Sequence, residues 1–240
     1  MNTFLDIGKM KYSFVLPYYD RLSQLGNTFD SFEKFYSKRN DFEVIIVEDQ
    51  KNTHKMSLDL FLLIDEFLNS FNIIYYRSEV KNTVCPVVAY NEGSKLANGK
   101  YLVITNPECQ HDTDVLSGFD EEFEKNENYY IVCACRAIDK HGRPYRWFQH
   151  TKERNLKYHF CSALLKDNYK QMGGFNEEYV NGYCYDDNSF RDRIKQFGLQ
   201  FVTRDDLVVN HLWHKKARPK NYKELLERNK RIYNMEFKKA

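Results

Sequence analysis

Short apolar runs alternate with amphipathic segments over the first hundred residues of the chain. Runs of four to eight apolar residues are typical of strands buried on both faces of a sheet, and apolar residues at a spacing of three and four predict helices. On this pattern we predict strands at 12–17, 42–47, 73–76 and 101–105, and helices at 22–36, 58–71 and 86–97.

This alternation predicts an α/β fold with a mainly parallel sheet flanked by helices. The second half is less regular. It predicts strands at 129–135, 160–165, 200–203 and 207–209, a helix at 187–197, and a polar, basic, aromatic loop at 141–154. No linker divides the chain. We therefore expect one domain with a ligand-binding half (1–110), a second half (111–212) and a basic helical tail (213–240).

Polar and aromatic side chains follow three of the predicted strands, at Pro17–Asp20, Glu48-Asp49 and Asn106–Glu108. In open α/β sheets, ligands bind beyond the carboxyl ends of the strands, so these segments are candidates for one site. Glu108 is either a ligand to a divalent cation or an ordinary acidic turn. Glu48-Asp49 either bind a nucleotide or cap the next helix.

Two further groups could carry chemistry. Asp186-Asp187 stand at the start of a predicted helix, either as caps or with one carboxylate as a general base. Repulsion between the two adjacent charges would raise the pKa of one carboxyl group, which suits a base working near neutral pH. His211 and His214 are three residues apart, and are either structural or metal ligands.

The composition narrows the class of protein. The 240 residues carry a net charge of +2, which is too small to indicate nucleic-acid binding. Six cysteines lack C-x-x-C spacing, which argues against a zinc site. Residues 1–14 hold no apolar run long enough for a signal peptide or membrane span, so we expect reduced thiols and a cytoplasmic location.

The C-terminal tail is strongly basic. Beyond His214 it holds ten Lys and Arg residues against three Glu. This charge is either a solvated helix face or a surface that contacts an anionic membrane or an anionic polymer.

Five segments occur in an order that resembles the family 2 glycosyltransferases of the GT-A fold. The resemblance extends over residues 12–200. It implies a Rossmann-like, mainly parallel sheet in a single domain. The segments are YSFVLPYYDR (12–21), FEVIIVED (42–49), AYNEGSKLANGKYLVITNPE (89–108), GGFNEEY (173–179) and YDDNSFRDR (185–193).

The resemblance also implies a role for each motif. Asp187 matches the catalytic base, and Asp186 its partner near the acceptor. Glu108 takes the metal-binding position of Asp-x-Asp, and either His211 or His214 matches a C-terminal histidine that binds the metal. The implied nucleotide-binding residues are Pro17, Tyr18, Tyr19, Glu48, Asp49, Asn91 and Asn106.

The implied reaction is an inverting, hexosyltransferase-like transfer from a nucleotide sugar, by resemblance UDP-linked, to a hydroxyl of a glycan or glycoconjugate. Mn²⁺ or Mg²⁺ would be the cofactor and polysaccharide biosynthesis the setting. We expect residues 141–154 and 180–185 to choose the acceptor.

This sequence departs from the family pattern, because Asn-Pro-Glu replaces Asp-x-Asp and removes one carboxylate. The alternative is therefore an inactive GT-A domain that binds a sugar or a partner. A sugar nucleotidyltransferase ranks last, because Pro17–Asp20 contains no glycine for a phosphate loop.

Overall fold

A computed structural model describes residues 10–50, 57–81, 84–215 and 218–237. Over these residues, nine strands form one mixed sheet in the order 72–81, 42–50, 12–18, 101–105, 161–165, 129–138, 200–211 and 109–111, with 144–149 paired to 129–138. The α/β class and the mixed, mainly parallel sheet expected from the sequence are confirmed.

The first half of the chain forms the parallel part of the sheet. β1 pairs in parallel with both β2 and β4, and β2 with β3. The apolar runs become strands because both of their faces are covered. The elements are β1 (Tyr12–Tyr18), α1 (Leu22–Tyr36), β2 (Phe42–Gln50), α2 (Leu58–Phe67), β3 (Asn72–Lys81), α3 (Val87–Leu96) and β4 (Tyr101–Thr105).

The second half adds the mixed part of the sheet. β8 runs antiparallel to β4 and β6, β9 runs parallel to β6, and β5 runs antiparallel to β9. A one-turn 3₁₀ helix covers Glu177–Tyr179. The other elements are β5 (Cys109–His111), α4 (Val115–Lys125), β6 (Tyr129–Ile138), β7 (Pro144–Gln149), β8 (Cys161–Leu165), α5 (Lys166–Gln171), α6 (Asp186–Phe197), β9 (Gln200–His211) and α7 (Tyr222–Phe237).

The two faces of the sheet bury separate apolar cores. Successive side chains of a strand point to opposite faces, so Phe14 and Leu16 join one core and Val15 joins the other. The first core lies beneath α1, α2 and α4 and also contains Cys133 and Cys135, which share a strand face as expected. The second lies beneath α3 and α6.

The structure adds β5, α4 and α5, which were not predicted, and it differs from the sequence prediction in two further segments. Residues 144–149 form β7 rather than part of a loop, as an edge strand that pairs with β6 alone and is mostly exposed over its first half. Residues 200–211 form the single strand β9 rather than two strands. The pairing register with β6 shifts between Cys133 and Ala134, and this irregularity interrupts the apolar pattern.

Some sequence-based expectations concern residues that lie outside the described ranges. The first nine residues, on which the absence of a signal segment rests, lie outside the described residues, as do Lys216, Lys238 and Lys239 of the basic tail. In the part of the chain that is described, no helix is long and apolar enough to cross a membrane.

Helix α3 packs unusually close to the sheet at Gly93. A Cβ atom at this position would lie 2.5 Å from Val15 Cγ1 and 3.1 Å from Val47 Cγ2. Replacing a helical glycine by alanine normally stabilises a helix by about 1 kcal/mol. Here we expect Gly93→Ala to lower the free energy of unfolding by about 1–3 kcal/mol, because overpacking forces strand or helix to shift. Urea denaturation measures the change.

Gly26→Ala in α1 is the matched control. Its Cβ atom would meet nothing closer than Leu63 Cδ1 at 3.6 Å, an ordinary contact. We expect this variant to be as stable as the wild type or more stable. Equal effects of the two substitutions would contradict the close packing of α3 on β1.

Candidate active site

One carboxylate and two imidazoles meet where the two halves of the chain join. The Nε2 atoms of His211 and His214 each lie 3.5 Å from Glu108 Oε1. One ligand atom from each residue can be chosen so that all lie within 4.8 Å of one another, and all three side chains are partly buried. A single cation could contact all three donors.

Strand pairing explains this meeting of distant residues. The Cys109 N–H donates to the Asn106 carbonyl in a tight turn after β4, which starts β5. β5 then pairs with the end of β9, with Cys109 opposite His211, and the Leu212 N–H donates to the Glu108 carbonyl at 2.8 Å. The backbone therefore fixes Glu108 beside both histidines.

The electrostatics suit ligation by neutral imidazole. Burial lowers the pKa of His211, and the charge of Glu108 opposes this shift only in part. The ring also contacts Phe148 with a centroid distance of 5.1 Å. A neutral ring next to a carboxylate offers one nitrogen and one oxygen ligand to a divalent cation.

The residues predicted to bind a nucleotide lie at the carboxyl ends of β1 and β2. Pro17, Tyr18, Tyr19 and Asp49 line a cleft of about 110 Å³, closed on one side by Ala89 of α3. Burial raises the pKa of Tyr18 to about 12, so its hydroxyl keeps its proton. The cleft thus offers aromatic faces and a carboxylate.

Glu48 is held by its neighbours on β3. Its carboxylate accepts a hydrogen bond from the Tyr75 hydroxyl, and Arg77 Nε lies 3.7 Å from it. These contacts hold the Glu48 carboxylate against β3. Neither Tyr75 nor Arg77 was predicted as a site residue; Tyr75 lies within the apolar run 73–76, and Arg77 follows that run inside β3.

Asn91 joins the two halves of the chain. Its Nδ2 donates to the Phe175 carbonyl and to Glu177, each at 2.9 Å. Its Oδ1 accepts from the Tyr169 hydroxyl at 2.7 Å and from the Phe175 N–H at 3.0 Å. The predicted nucleotide contact of Asn91 stays a prediction, and the structure gives the side chain this second, structural role.

Asp186 and Asp187 form the first turn of α6, as the sequence predicts. Burial raises the pKa of Asp186 to about 6, and repulsion by Asp187 adds to this shift. Desolvation also raises the pKa of Asp187 to about 6. Since 42% of the Asp187 side chain is exposed, solvent screens part of the shift, and Asp187 is the member that a substrate can reach.

His159 is a site residue that sequence reasoning missed. Its Nδ1 lies 3.3 Å from Asp187 Oδ1, and only 5% of its side chain is exposed. Burial lowers the pKa of His159 to about 4, so the ring is neutral at pH 7. Among the described residues Nδ1 has no hydrogen-bond partner, so the neutral ring lies close to the Asp187 carboxylate without a hydrogen bond to it. A lone histidine before a strand gave no signal in the sequence.

Tyr90 of α3 links the acid pair to the Asn106–Glu108 turn. Its hydroxyl donates to Asn106 Oδ1 at 2.6 Å, and its ring meets the ring of His159 with a centroid distance of 5.2 Å. Asn106, Tyr90, His159 and Asp187 therefore form one continuous set of contacts. The strand-end site and the acid pair belong to one site.

Helix α7 supports the loop before the acid pair. Asn229 is fully buried and donates from Nδ2 to the carbonyls of Tyr179 at 3.1 Å and Cys184 at 2.8 Å. Cys184 and Tyr185 have positive φ angles of 59° and 68°, which non-glycine residues adopt at a cost. The polar contact from α7 helps to hold this strained turn, and the turn sets the direction of α6.

The mixed sheet flanked by helices, with its candidate site at the carboxyl ends of the strands, defines a protein of the GT-A fold class. The sequence profile described as glycosyl transferase family 2 matches residues 13–196. Since the match covers most of the chain, this protein belongs to glycosyl transferase family 2.

A relative resembles this chain in sequence, and solved structures resemble it in fold. A poly(ribitol-phosphate) beta-glucosyltransferase of Bacillus spizizenii is 22% identical over 142 residues, which is 59% of this chain and 22% of the relative. Crystal structures of Staphylococcus aureus TarS 1-349 superpose with TM-scores of 0.71 for the UDP-GlcNAc complex and 0.67 for the UDP complex. Identities are 14% and 15%, with 95% and 92% of this chain and 66% and 64% of TarS 1-349 covered. This chain thus spans about a fifth of the glucosyltransferase.

The neutral state of His159 can be tested directly. We expect its imidazole signals to titrate with a midpoint near pH 4 in NMR spectra, because burial disfavours the charged ring. Loss of the signal in His159→Gln assigns it. A midpoint above pH 6 would contradict the buried environment.

Proposed function

We propose that the protein is an inverting glycosyltransferase that moves a sugar from a UDP-linked donor to a hydroxyl of a glycan or glycoconjugate. The meeting of Glu108 with His211 and His214 beside a cleft lined by Tyr18 and Asp49 carries this proposal. It joins a cation site to a cleft with aromatic and acidic walls, as a nucleoside diphosphate leaving group requires.

Asp187 is the proposed general base. A base working near neutral pH needs a raised pKa, and burial raises the pKa of both members of the acid pair to about 6. His159 would position the Asp187 carboxylate through the close packing of its neutral ring, whose Nδ1 lies 3.3 Å from Asp187 Oδ1. Asp186 is buried, and its charge would act on Asp187. It would lie on the acceptor side of the site.

The donor set favours Mn²⁺ over Mg²⁺. Mg²⁺ takes oxygen ligands almost alone, whereas imidazole nitrogen suits softer divalent ions. One carboxylate with two imidazoles therefore suits Mn²⁺ better. When bound, the cation would neutralise charge on the diphosphate leaving group. The second carboxylate lost from Asp-x-Asp would be replaced by the second histidine.

The relatives support UDP as the nucleotide and a polymer as the acceptor. TarS crystallised with UDP and with UDP-GlcNAc, and the Bacillus relative is a poly(ribitol-phosphate) glucosyltransferase. Polysaccharide biosynthesis is the setting that these names favour.

Replacing the proposed base tests the chemistry. We expect Asp187→Asn to lower kcat by about 10²–10⁴-fold with the Kd for UDP unchanged, because only proton transfer is lost. In the wild type, kcat should rise with pH to a plateau through an apparent pKa near 6, since the carboxylate must be ionised. Coupled assays of UDP release measure both.

The control is Asp167→Asn, on the exposed side of α5, which should keep full activity. Undiminished transfer in folded Asp187→Asn would contradict the base assignment. If the wild type binds UDP-sugars yet neither transfers nor slowly hydrolyses any of a broad panel, an inactive sugar-binding domain becomes the better account.

Removing metal ligands tests the cation site. We expect Glu108→Gln and His211→Ala each to raise the Kd for Mn²⁺ about tenfold or more in the presence of UDP, measured by EPR of free Mn²⁺. EDTA should weaken UDP binding in the wild type. His141→Ala, in an exposed turn, is the matched control. Equal UDP affinity with and without EDTA would remove the cation from the function.

A further inference from the structure

A basic and aromatic groove runs along the edge strand β7. Its volume is about 670 Å³, and its lining includes Arg136, Tyr145, Arg146, Trp147 and Arg154. Glu153 is the one acidic residue among its lining residues. The groove lies outside the strand-end site that explains the proposed reaction with the donor, so its charge needs a separate explanation.

Two of the arginines have no internal counter-ion. Arg136 pairs with Asp112, but among the described residues neither Arg146 nor Arg154 lies within 4 Å of a carboxylate. Both side chains are exposed. The planar guanidinium group binds phosphate through two parallel hydrogen bonds, so such a pair favours phosphate over neutral polymers.

Aromatic rings contact two of the arginines, Arg136 and Arg146. The Arg146 guanidinium lies 4.8 Å from the Phe148 ring and 5.3 Å from the Tyr145 ring, and Arg136 lies 5.8 Å from the Trp147 ring. Cation–π contact restricts the side chains before any ligand arrives. The exposed face of Tyr145 can also pack on C–H groups of a polyol or sugar.

The groove leads to the cation site. The Arg146 guanidinium lies over the Phe148 ring, and this ring contacts the His211 ring with a centroid distance of 5.1 Å. Ala137 of β6 lies opposite Arg146 on one side and His211 on the other. Arg146 and His211 are therefore two strand spacings apart, about 10 Å. A chain held at Arg146 can extend a hydroxyl to the reacting centre.

We propose that this groove binds a phosphodiester-bearing acceptor chain, so that the acceptor is a polyol-phosphate polymer rather than a neutral glycan. This inference rests on the proposed transferase function. Arg146 and Arg154 would hold successive phosphates, and Tyr145 and Trp147 would pack on the intervening polyol. The basic residues of α7 are the competing place for an anionic polymer.

A binding assay without transfer separates these surfaces. Poly(ribitol phosphate) is immobilised, and the Kd of the protein is measured by biolayer interferometry at low salt, with dextran as the neutral polymer. We expect wild type to bind the phosphate polymer but not dextran, and R146E/R154E to bind it at least tenfold more weakly. Added salt should weaken wild-type binding, because exposed charges are screened.

The matched control is K223E/R231E on the exposed face of α7, which changes the net charge equally. It should bind the polymer within twofold of wild type. An equal loss in both double variants, or equal wild-type binding of dextran, would overturn the proposal. If charge reversal disturbs folding, R146A/R154A with an unchanged Tm replaces it, and no loss of affinity there also overturns the proposal.

UDP affinity, measured on the same samples, keeps the two proposals apart. If polymer binding fails while UDP still binds with Mn²⁺, only the proposal for the groove is overturned. Failure of UDP to bind removes the transferase function, whatever the polymer result.

Discussion

The pairing of β5 with the end of β9 is the constraint on which the site depends. The ladder sets Cys109 opposite His211, and one backbone hydrogen bond from Leu212 to Glu108 extends it. Glu108 follows a strand of the first half, and both histidines lie at the end of the second half. Without this pairing, nothing would bring them together. The pairing makes one site from residues a hundred positions apart.

The acid pair depends on a second set of contacts between the halves. Asn91 uses both ends of its amide to hold the loop at Phe175, and Asn229 holds the turn that starts α6. His159 fills the space between Tyr90 and the acid pair. Burial in this layer removes water from the carboxylates, and that loss of solvation raises their pKa. The packing that joins the halves therefore also tunes the proposed base.

The sequence predicts the first half well, because parallel strands buried on both faces appear in it as continuous apolar runs. β4 and α1 occur at the predicted residues, and every predicted strand-end segment lies at a strand end. β7 was missed because an edge strand with an exposed first half carries no apolar alternation. β5 is too short for any pattern, although the spacing of Val115, Phe119 and Phe123 would have predicted α4. His159 could not be found, since its role comes from neighbours distant in sequence.

The central claim is that Glu108, His211 and His214 hold the cation that serves the donor. Crystals of the protein grown with UDP and Mn²⁺, measured at the manganese absorption edge, test it most directly. We predict one anomalous peak in contact with the Glu108 carboxylate, at least one of the two imidazole rings and the diphosphate. A peak bound instead by Glu48 and Asp49 or by Asp186 and Asp187, with both histidines unliganded, would contradict the account.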